Sequence, residues 1–271
     1  MSDIARTVLV TGSASGIGAA TRARLESQGV RVVGADLRDA EVEADLSTPE
    51  GRAELVARAT ELTDGVLDGV VTAAGLSHGP AVVPVNYFGT VESLRGLRPL
   101  LARSAAPRVV TVSSIGGLRD HDAELVAACL AGAERDAVRR AEQLSYALVY
   151  NSTKAAMERW LRGAAPTPEW AGAGITVNAV APGVVETPLM TEALADPATR
   201  ERLTRENHSP LHWPARVEEI AAPIAWLASP EASYVTGQVL YADGGYEVHL
   251  RGGAPSDHGV AHDVAPPVGR R

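Results

Sequence analysis

Cysteine is almost absent: Cys129 stands alone among 271 residues. That excludes an intrachain disulfide and leaves too few thiols for a zinc–thiolate site. No apolar run approaches the roughly 20 residues of a membrane-spanning helix. The opening MSDIARTVLVTG has no basic segment followed by an apolar stretch, so no secretory signal is read and a cytoplasmic location is expected. Positive charge is in deficit, with 25 Lys and Arg against 33 Asp and Glu and a net charge of −8. A basic footprint for nucleic acid is missing at whole-chain level. The histidines are scattered, and their tightest helix-compatible pair, His258 and His262, falls in a glycine-rich stretch, so no metal site is expected. Neither an internal repeat nor a linker between two cores is visible. What is present is ordinary globular composition, 45% apolar and 21% charged, in a chain long enough to bury about three quarters of its unfolded surface.

Short β-branched runs alternate with longer helical patterns. Strands are predicted at 7–10, 31–36, 69–73, 108–113, 175–181 and 238–242, and helices at 17–28, 50–62, 85–103, 150–161 and 217–228. Pro223 predicts a kink or irregular turn in the last of these. Near-continuous apolar strands separated by helices imply a parallel sheet covered on both faces, a single doubly wound Rossmann-type α/β domain. Residues 119–145 break the rhythm. They are rich in Ala, Glu and Arg around Gly132 and predict a helical hairpin inserted before the next helix. Residues 1–246 are read as the domain and 247–271, rich in Gly, Pro and His, as a tail that packs on the body or on a neighbouring subunit.

The segment Thr11-Gly12-Ser13-Ala14-Ser15-Gly16-Ile17-Gly18 follows the first strand and opens the first helix. Glycines there permit a tight turn and close approach of a pyrophosphate to the helix N-terminus. The strand–turn–helix context is what makes the spacing informative. Asp36 ends the second strand, 18 residues beyond Gly18. A carboxylate there accepts hydrogen bonds from the ribose hydroxyls of NAD and repels the 2′-phosphate of NADP. Leu37 adds no charge; Arg38 does, but lies off the strand end. Asp45, Leu46, Ala73, Ala74 and Gly75 end the next strand-like runs and are expected along the same crevice.

Tyr150 and Lys154 are four residues apart and share one face of a helix. A free phenol, with a pKa near 10, is a poor base at neutral pH. Lowering it by about three units needs roughly 4 kcal/mol, and one ammonium about 4 Å away supplies that order of energy at an effective dielectric near 20. Ser114, just past the strand at 108–113, supplies a hydroxyl to hold a substrate oxygen.

These residues identify the chain as resembling the short-chain dehydrogenase/reductase family over about residues 5–246. The resemblance also rests on Asn86 in VNYFGT, Ser113-Ser114, NAVAPG at 178–183, Thr187 and Asp243-Gly244-Gly245. It implies Tyr150 as general acid/base, Ser114 as the group orienting the substrate oxygen, and Lys154 as the ribose-binding group that lowers the tyrosine pKa. Asn86 would anchor a water linking the lysine to solvent. Pro182, Gly183, Val185 and Thr187 would complete the NAD site. Two departures stand out. Thr72-Ala73-Ala74-Gly75 replaces the usual Asn-Asn-Ala-Gly. Ser114 and Tyr150 lie 36 positions apart, much more than is common, because the hairpin intervenes. Such an insertion resembles that of the hydroxysteroid dehydrogenase/carbonyl reductase group, where it obstructs a tetramer interface and leaves a homodimer.

The expected function is NAD-dependent interconversion of a small-molecule alcohol and ketone. Residues 187–213, with Leu189, Met190, Leu194 and Trp213, are read as a lid suited to a bulky alicyclic or steroid-like substrate. A 3-hydroxyacyl thioester substrate is the alternative. A non-catalytic NAD sensor is the further one, disfavoured because a sensor needs no proton relay.

Overall fold

A computed structural model describes residues 6–251 apart from His208 and His212. The sequence-predicted tail beyond 251, including His258 and His262, lies outside the described residues.

Seven parallel strands form one sheet in the order β3-β2-β1-β4-β5-β6-β7. They are β1 (Thr7–Thr11), β2 (Arg31–Asp36), β3 (Val42–Glu43), β4 (Gly69–Thr72), β5 (Arg108–Val112), β6 (Thr176–Pro182) and β7 (Val239–Ala242). After β1 the chain builds toward β2 and β3, then returns to add β4 on the opposite side, so the order reverses beside β1. That reversal opens a crevice at the C-terminal ends of β1 and β4.

Alternation along each strand divides the interior into two cores. Leu9, Val70, Val109 and Val177 point to one face, where they pack with Leu55, Leu94, Met157 and Leu161. Val8, Val10, Val71, Val110 and Val180 point to the other, against Leu25, Ile220 and Ile224. The second core is covered by α1 (Gly16–Ser27) and, later in the chain, α9 (Val217–Leu227); the first by α2 (Pro49–Leu62), α3 (Thr90–Leu101) and α6 (Tyr146–Ala164).

Local chemistry sets several boundaries. The Thr48 hydroxyl accepts from Gly51 N and Pro49 opens α2, using the position where a missing N–H costs nothing. Gly132, at φ +73°, turns the chain between α4 (Ala123–Leu130) and α5 (Glu134–Ala141), so the insertion is the helical hairpin that the sequence predicts. It is no loose appendage: Leu125, Val126, Cys129 and Ala137 are buried in the first core, and Arg52 of α2 pairs with Glu134 at 2.5 Å. Residues 187–213, read from sequence as a lid, contain α7 (Pro188–Ala195) and α8 (Pro197–Glu206).

Several boundaries differ from expectation. The helix bearing Tyr150 begins at Tyr146, because Ser145 accepts from Leu148 N and caps it a turn earlier. The helix predicted at 85–103 opens as a π turn over Pro84–Gly89. Pro223 does not interrupt α9, where buried Ile220, Ile224 and Leu227 hold the helix across the missing N–H. The tail boundary at 247 also moves, since α10 (Tyr246–Arg251) starts at buried Tyr246. Among the described residues no helix is long and apolar enough to cross a membrane.

Candidate active site

One cavity of about 760 Å³ runs across the C-terminal ends of the strands. Its first end is the β1–α1 turn. A Cβ at Gly18 would overlap the carbonyl oxygen of Gly12, and one at Gly12, itself at φ +69°, would fall 2.7 Å from Ala74 N. These two glycines are required by close backbone packing. Ser15 caps α1 in extended conformation, yet its side chain accepts no hydrogen bond, whereas Thr48, Asp122, Ser145 and Asp196 cap α2, α4, α6 and α8. The first-turn N–H groups of α1 are left for an anion, which fits a pyrophosphate.

Asp36 is half-buried at the cavity edge, accepting from Ala14 N at 3.0 Å and Leu37 N at 2.7 Å. Leu37 is exposed. Arg22, whose guanidinium lies beside Gly34 of β2, is neutralised by Glu41 at 2.5 Å and Glu26 at 2.9 Å, and Glu41 also accepts from Gly34 N. This edge therefore presents a carboxylate and fits ribose hydroxyls rather than a phosphate. Asp45 accepts from Ser47 N. The Thr11 hydroxyl accepts from Ala74 N at 3.2 Å, tying β1 to the Ala73–Gly75 stretch in which the usual asparagines are missing.

The other end is chemical. Ser114 follows β5, and its hydroxyl accepts from Gly116 N at 3.0 Å and hydrogen-bonds the Tyr150 phenol. On α6, Lys154 lies 5.6 Å from the Tyr150 ring centroid and donates to the Val112 carbonyl at 2.9 Å. Burial pulls the Lys154 ammonium down to about 8, with the Glu158 carboxylate opposing. Burial pushes the Tyr150 phenol up, and only the Ser114 hydrogen bond opposes it. The depression expected from Lys154 is not seen: burial is the larger influence on the phenol, and Ser114 rather than Lys154 opposes it.

Ser114, Tyr150 and Lys154 line this one cavity, and so do Gly12, Ser15, Gly16, Ile17, Gly18, Asp36, Leu37, Asp45, Leu46, Ala73, Ala74, Gly75, Pro182, Gly183, Val185 and Thr187. Asn86 does not. It is buried in the π turn, its side chain accepting from Leu76 N and donating to Leu76 O at 2.8 Å each. A Cβ on Gly75 would lie 3.4 Å from Asn86 Oδ1 and 4.0 Å from Lys154 Nζ, so Asn86 fixes the segment against which the lysine sits.

Gly116, Arg119 and Asn207 are among the lining residues not singled out from sequence. A Cβ at Gly116 would come 3.0 Å from Tyr150 Cε1, and the Gly116-Gly117 pair after Ser113-Ser114 was the available signal. Glu158, buried and accepting from the Ser113 hydroxyl at 2.5 Å, continues the four-residue spacing of Tyr150 and Lys154. For Arg119 and Asn207 no sequence signal existed, because they meet only in three dimensions.

Comparison with known proteins agrees with this geometry. Residues 6–126 match a family model described as short chain dehydrogenase, and residues 136–247 one described as enoyl-(acyl carrier protein) reductase. The chain is 39% identical to the 3-alpha-hydroxysteroid dehydrogenase/carbonyl reductase of Comamonas testosteroni, across 90% of this chain and 97% of that protein. It is 36% identical to the cis-4-hydroxycyclohexanecarboxylate dehydrogenase of Sinomonas cyclohexanicum, across 89% and 96%. A crystal structure of the 3-alpha-hydroxysteroid dehydrogenase from Pseudomonas sp. B-0831, complexed with NADH, superposes with a TM-score of 0.86 at 40% identity, covering 92% of this chain and 100% of that one. The chain belongs to the short-chain dehydrogenase/reductase family, and it is an oxidoreductase acting on a small molecule.

Proposed function

We propose that this protein is an NAD-dependent oxidoreductase interconverting a secondary alcohol and a ketone, on bulky alicyclic or steroid-like substrates, as a cytoplasmic homodimer. The observation that carries the reading is the meeting of Ser114, Tyr150 and Lys154 in the cavity whose far end is the glycine turn and Asp36. The uncapped start of α1 would hold the pyrophosphate, Asp36 the adenosine ribose and Lys154 the nicotinamide ribose. The two-electron acceptor or donor is the chemistry that the nicotinamide cofactor supplies when bound.

The chain's own residues handle the proton. In reduction, Ser114 holds the ketone oxygen and Tyr150 gives it a proton as the carbon is reduced. That role needs the phenol in its acid form, which burial favours. In oxidation Tyr150 takes the carbinol proton, which requires the phenolate. Lys154 stabilises that anion through its charge, and the positive charge of an oxidised nicotinamide would add to it. Leu76, Ala147, Leu189 and Met190 line the cavity around this end and favour an apolar ring. The names of the two relatives, one a hydroxysteroid and one a hydroxycyclohexanecarboxylate dehydrogenase, support cyclic alcohols. The homodimer reading rests on the inserted hairpin.

Replacing Tyr150 with Phe tests the assignment. A loss of about 10²–10⁴ in kcat/KM is expected, with NAD affinity changed by less than a few-fold. Retained turnover would remove Tyr150 as the proton-transfer group. Fast turnover of short acyl thioesters together with none of cyclic alcohols would replace the substrate class by the thioester alternative.

A further inference from the structure

Four charged residues line the cavity: Asp36, Asp45, Lys154 and Arg119. The first two belong to the adenosine end, and Lys154 stands beside the phenol. Arg119 is used by neither the proposed redox step nor the dinucleotide. Its backbone N donates to Gly116 O at 3.1 Å, one tight turn from the glycine that abuts the Tyr150 ring. It therefore belongs to the substrate end.

The Arg119 side chain is ordered entirely by uncharged partners. Nη2 donates to Asn207 Oδ1 at 2.5 Å, to the Tyr246 hydroxyl at 3.1 Å and to the Glu206 carbonyl at 3.4 Å. The guanidinium also stacks on the Tyr246 ring at 5.5 Å. Nη1 donates to nothing among the described residues, and Nε is buried without a partner. Arg52 is neutralised by Glu134 and Arg140 by Asp122, and buried Arg108, which like Arg119 has no carboxylate among the described residues, spends its donors on the carbonyls of Pro107, Ser229 and Pro230. No carboxylate among the described residues pairs with Arg119. A held guanidinium with Nη1 unused and no counter-ion, at the substrate end of the cavity, matches an incoming carboxylate, which Nη1 can meet with a charge-assisted hydrogen bond. A residue serving only to pin the lid to Tyr246 would need neither the charge nor the unused donors.

We propose that Arg119 recognises a carboxylate on the substrate, so that this enzyme acts on cyclic hydroxy acids and keto acids whose reacting oxygen lies at Ser114 and Tyr150 while the acid group lies at Arg119. This rests on the proposed redox reading. It assigns a specificity-determining residue and narrows the substrate to an anion.

The test compares 4-oxocyclohexanecarboxylate with its methyl ester as substrates of the wild type, Arg119→Gln and Arg119→Lys. The wild type is expected to favour the acid by about tenfold or more in kcat/KM, the range of charge-assisted hydrogen bonds. In Arg119→Gln that ratio falls to about one, chiefly through KM for the acid. Arg119→Lys, which keeps the charge but not the position of the Nη1 donor, gives an intermediate ratio and serves alone if the Gln variant does not fold. A wild-type ratio near one, or an unchanged ratio in both variants, overturns the assignment. Calorimetric binding of cyclohexanecarboxylate, which has no reacting carbonyl, to the NAD-loaded protein provides a readout independent of turnover. Binding weakened about tenfold by Arg119→Gln supports the site even if neither ketone is reduced, and equal binding to both proteins rejects it. If both ketones are reduced equally well, the redox reading stands and the Arg119 assignment falls.

Discussion

The two ends of the cavity are built on opposite principles. The nucleotide end is made from contiguous chain, β1, a glycine turn and α1, closed by Asp36 at the end of the neighbouring strand. Its precision comes from backbone touching backbone, with Gly18 against Gly12 and Gly12 against Ala74. The chemical end gathers side chains from the loop after β5, from α6 and from α8, with α10 bracing it through Tyr246. Its contacts are hydrogen bonds between groups as far apart as Arg119 and Asn207. The first end tolerates no added atom; the second can change side chains while the scaffold stays. A common cofactor and variable substrates follow from that division of labour.

Matched glycine substitutions should break the comparison most sharply. In Gly18→Ala the new methyl meets rigid backbone, so NAD affinity should fall at least about 100-fold, with a stability loss of the order of 1–3 kcal/mol typical of overpacking. In Gly116→Ala the methyl lies 2.9 Å from Asn151 Oδ1 and 3.0 Å from the Tyr150 ring, both side chains. NAD affinity should stay within a few-fold while kcat drops. Titrating NAD by fluorescence alongside steady-state kinetics separates the two, and equal effects on NAD binding would contradict the division.

A smaller effect is expected from Asp36→Ala. Loss of the ribose acceptor should raise the KM for NAD about tenfold, as for a charged hydrogen-bond partner, and improve the NADP to NAD ratio of kcat/KM. An unchanged ratio would show that Asp36 does not select the cofactor.

The smallest effect concerns stability. Burial holds the Lys154 ammonium at about 8 rather than 10.5, so the native chain releases this proton before the unfolded chain does. Between about pH 8 and 10.5 the unfolded state binds more protons, and the Lys154 contribution to stability rises with pH. The Cys129 thiol, pushed up by burial to about 12 from 9.0, works in the opposite direction above pH 9, and Tyr150 does so above 10. The rise should therefore be clearest between pH 8 and 9 in urea unfolding of the cofactor-free protein, and should vanish in Lys154→Met. A wild type and variant with parallel pH dependence would refute it.

The same contrast explains what was legible in the sequence. The β1–α1 turn, Asp36 and the strands could be read because neighbouring residues make them: near-continuous apolar runs, a glycine spacing and a strand end. Tyr150 and Lys154 could be paired because helix geometry relates residues four apart. The hairpin of the insertion was legible from its composition around Gly132. β3 (Val42–Glu43) was marked only by the strand-like run ending at Asp45-Leu46, because two residues carry no pattern that fixes their bounds. The π turn over Pro84–Gly89 escaped because a one-residue shift in the hydrogen-bond ladder leaves no mark on hydrophobic periodicity. The phenol's raised pKa could not be foreseen from its lysine neighbour, since desolvation depends on everything packed around it. Arg119 was invisible for a related reason: its meaning lies in the partners it lacks.

The inserted hairpin is fastened to the reaction centre at a telling place. Asp122 N donates to the Ser152 hydroxyl, and the Asn151 side chain donates to the Asp120 carbonyl. Both fastenings fall within the single helical turn that separates Tyr150 from Lys154. A force on the outer surface of the hairpin is thereby delivered to the segment that sets the spacing of acid and ammonium.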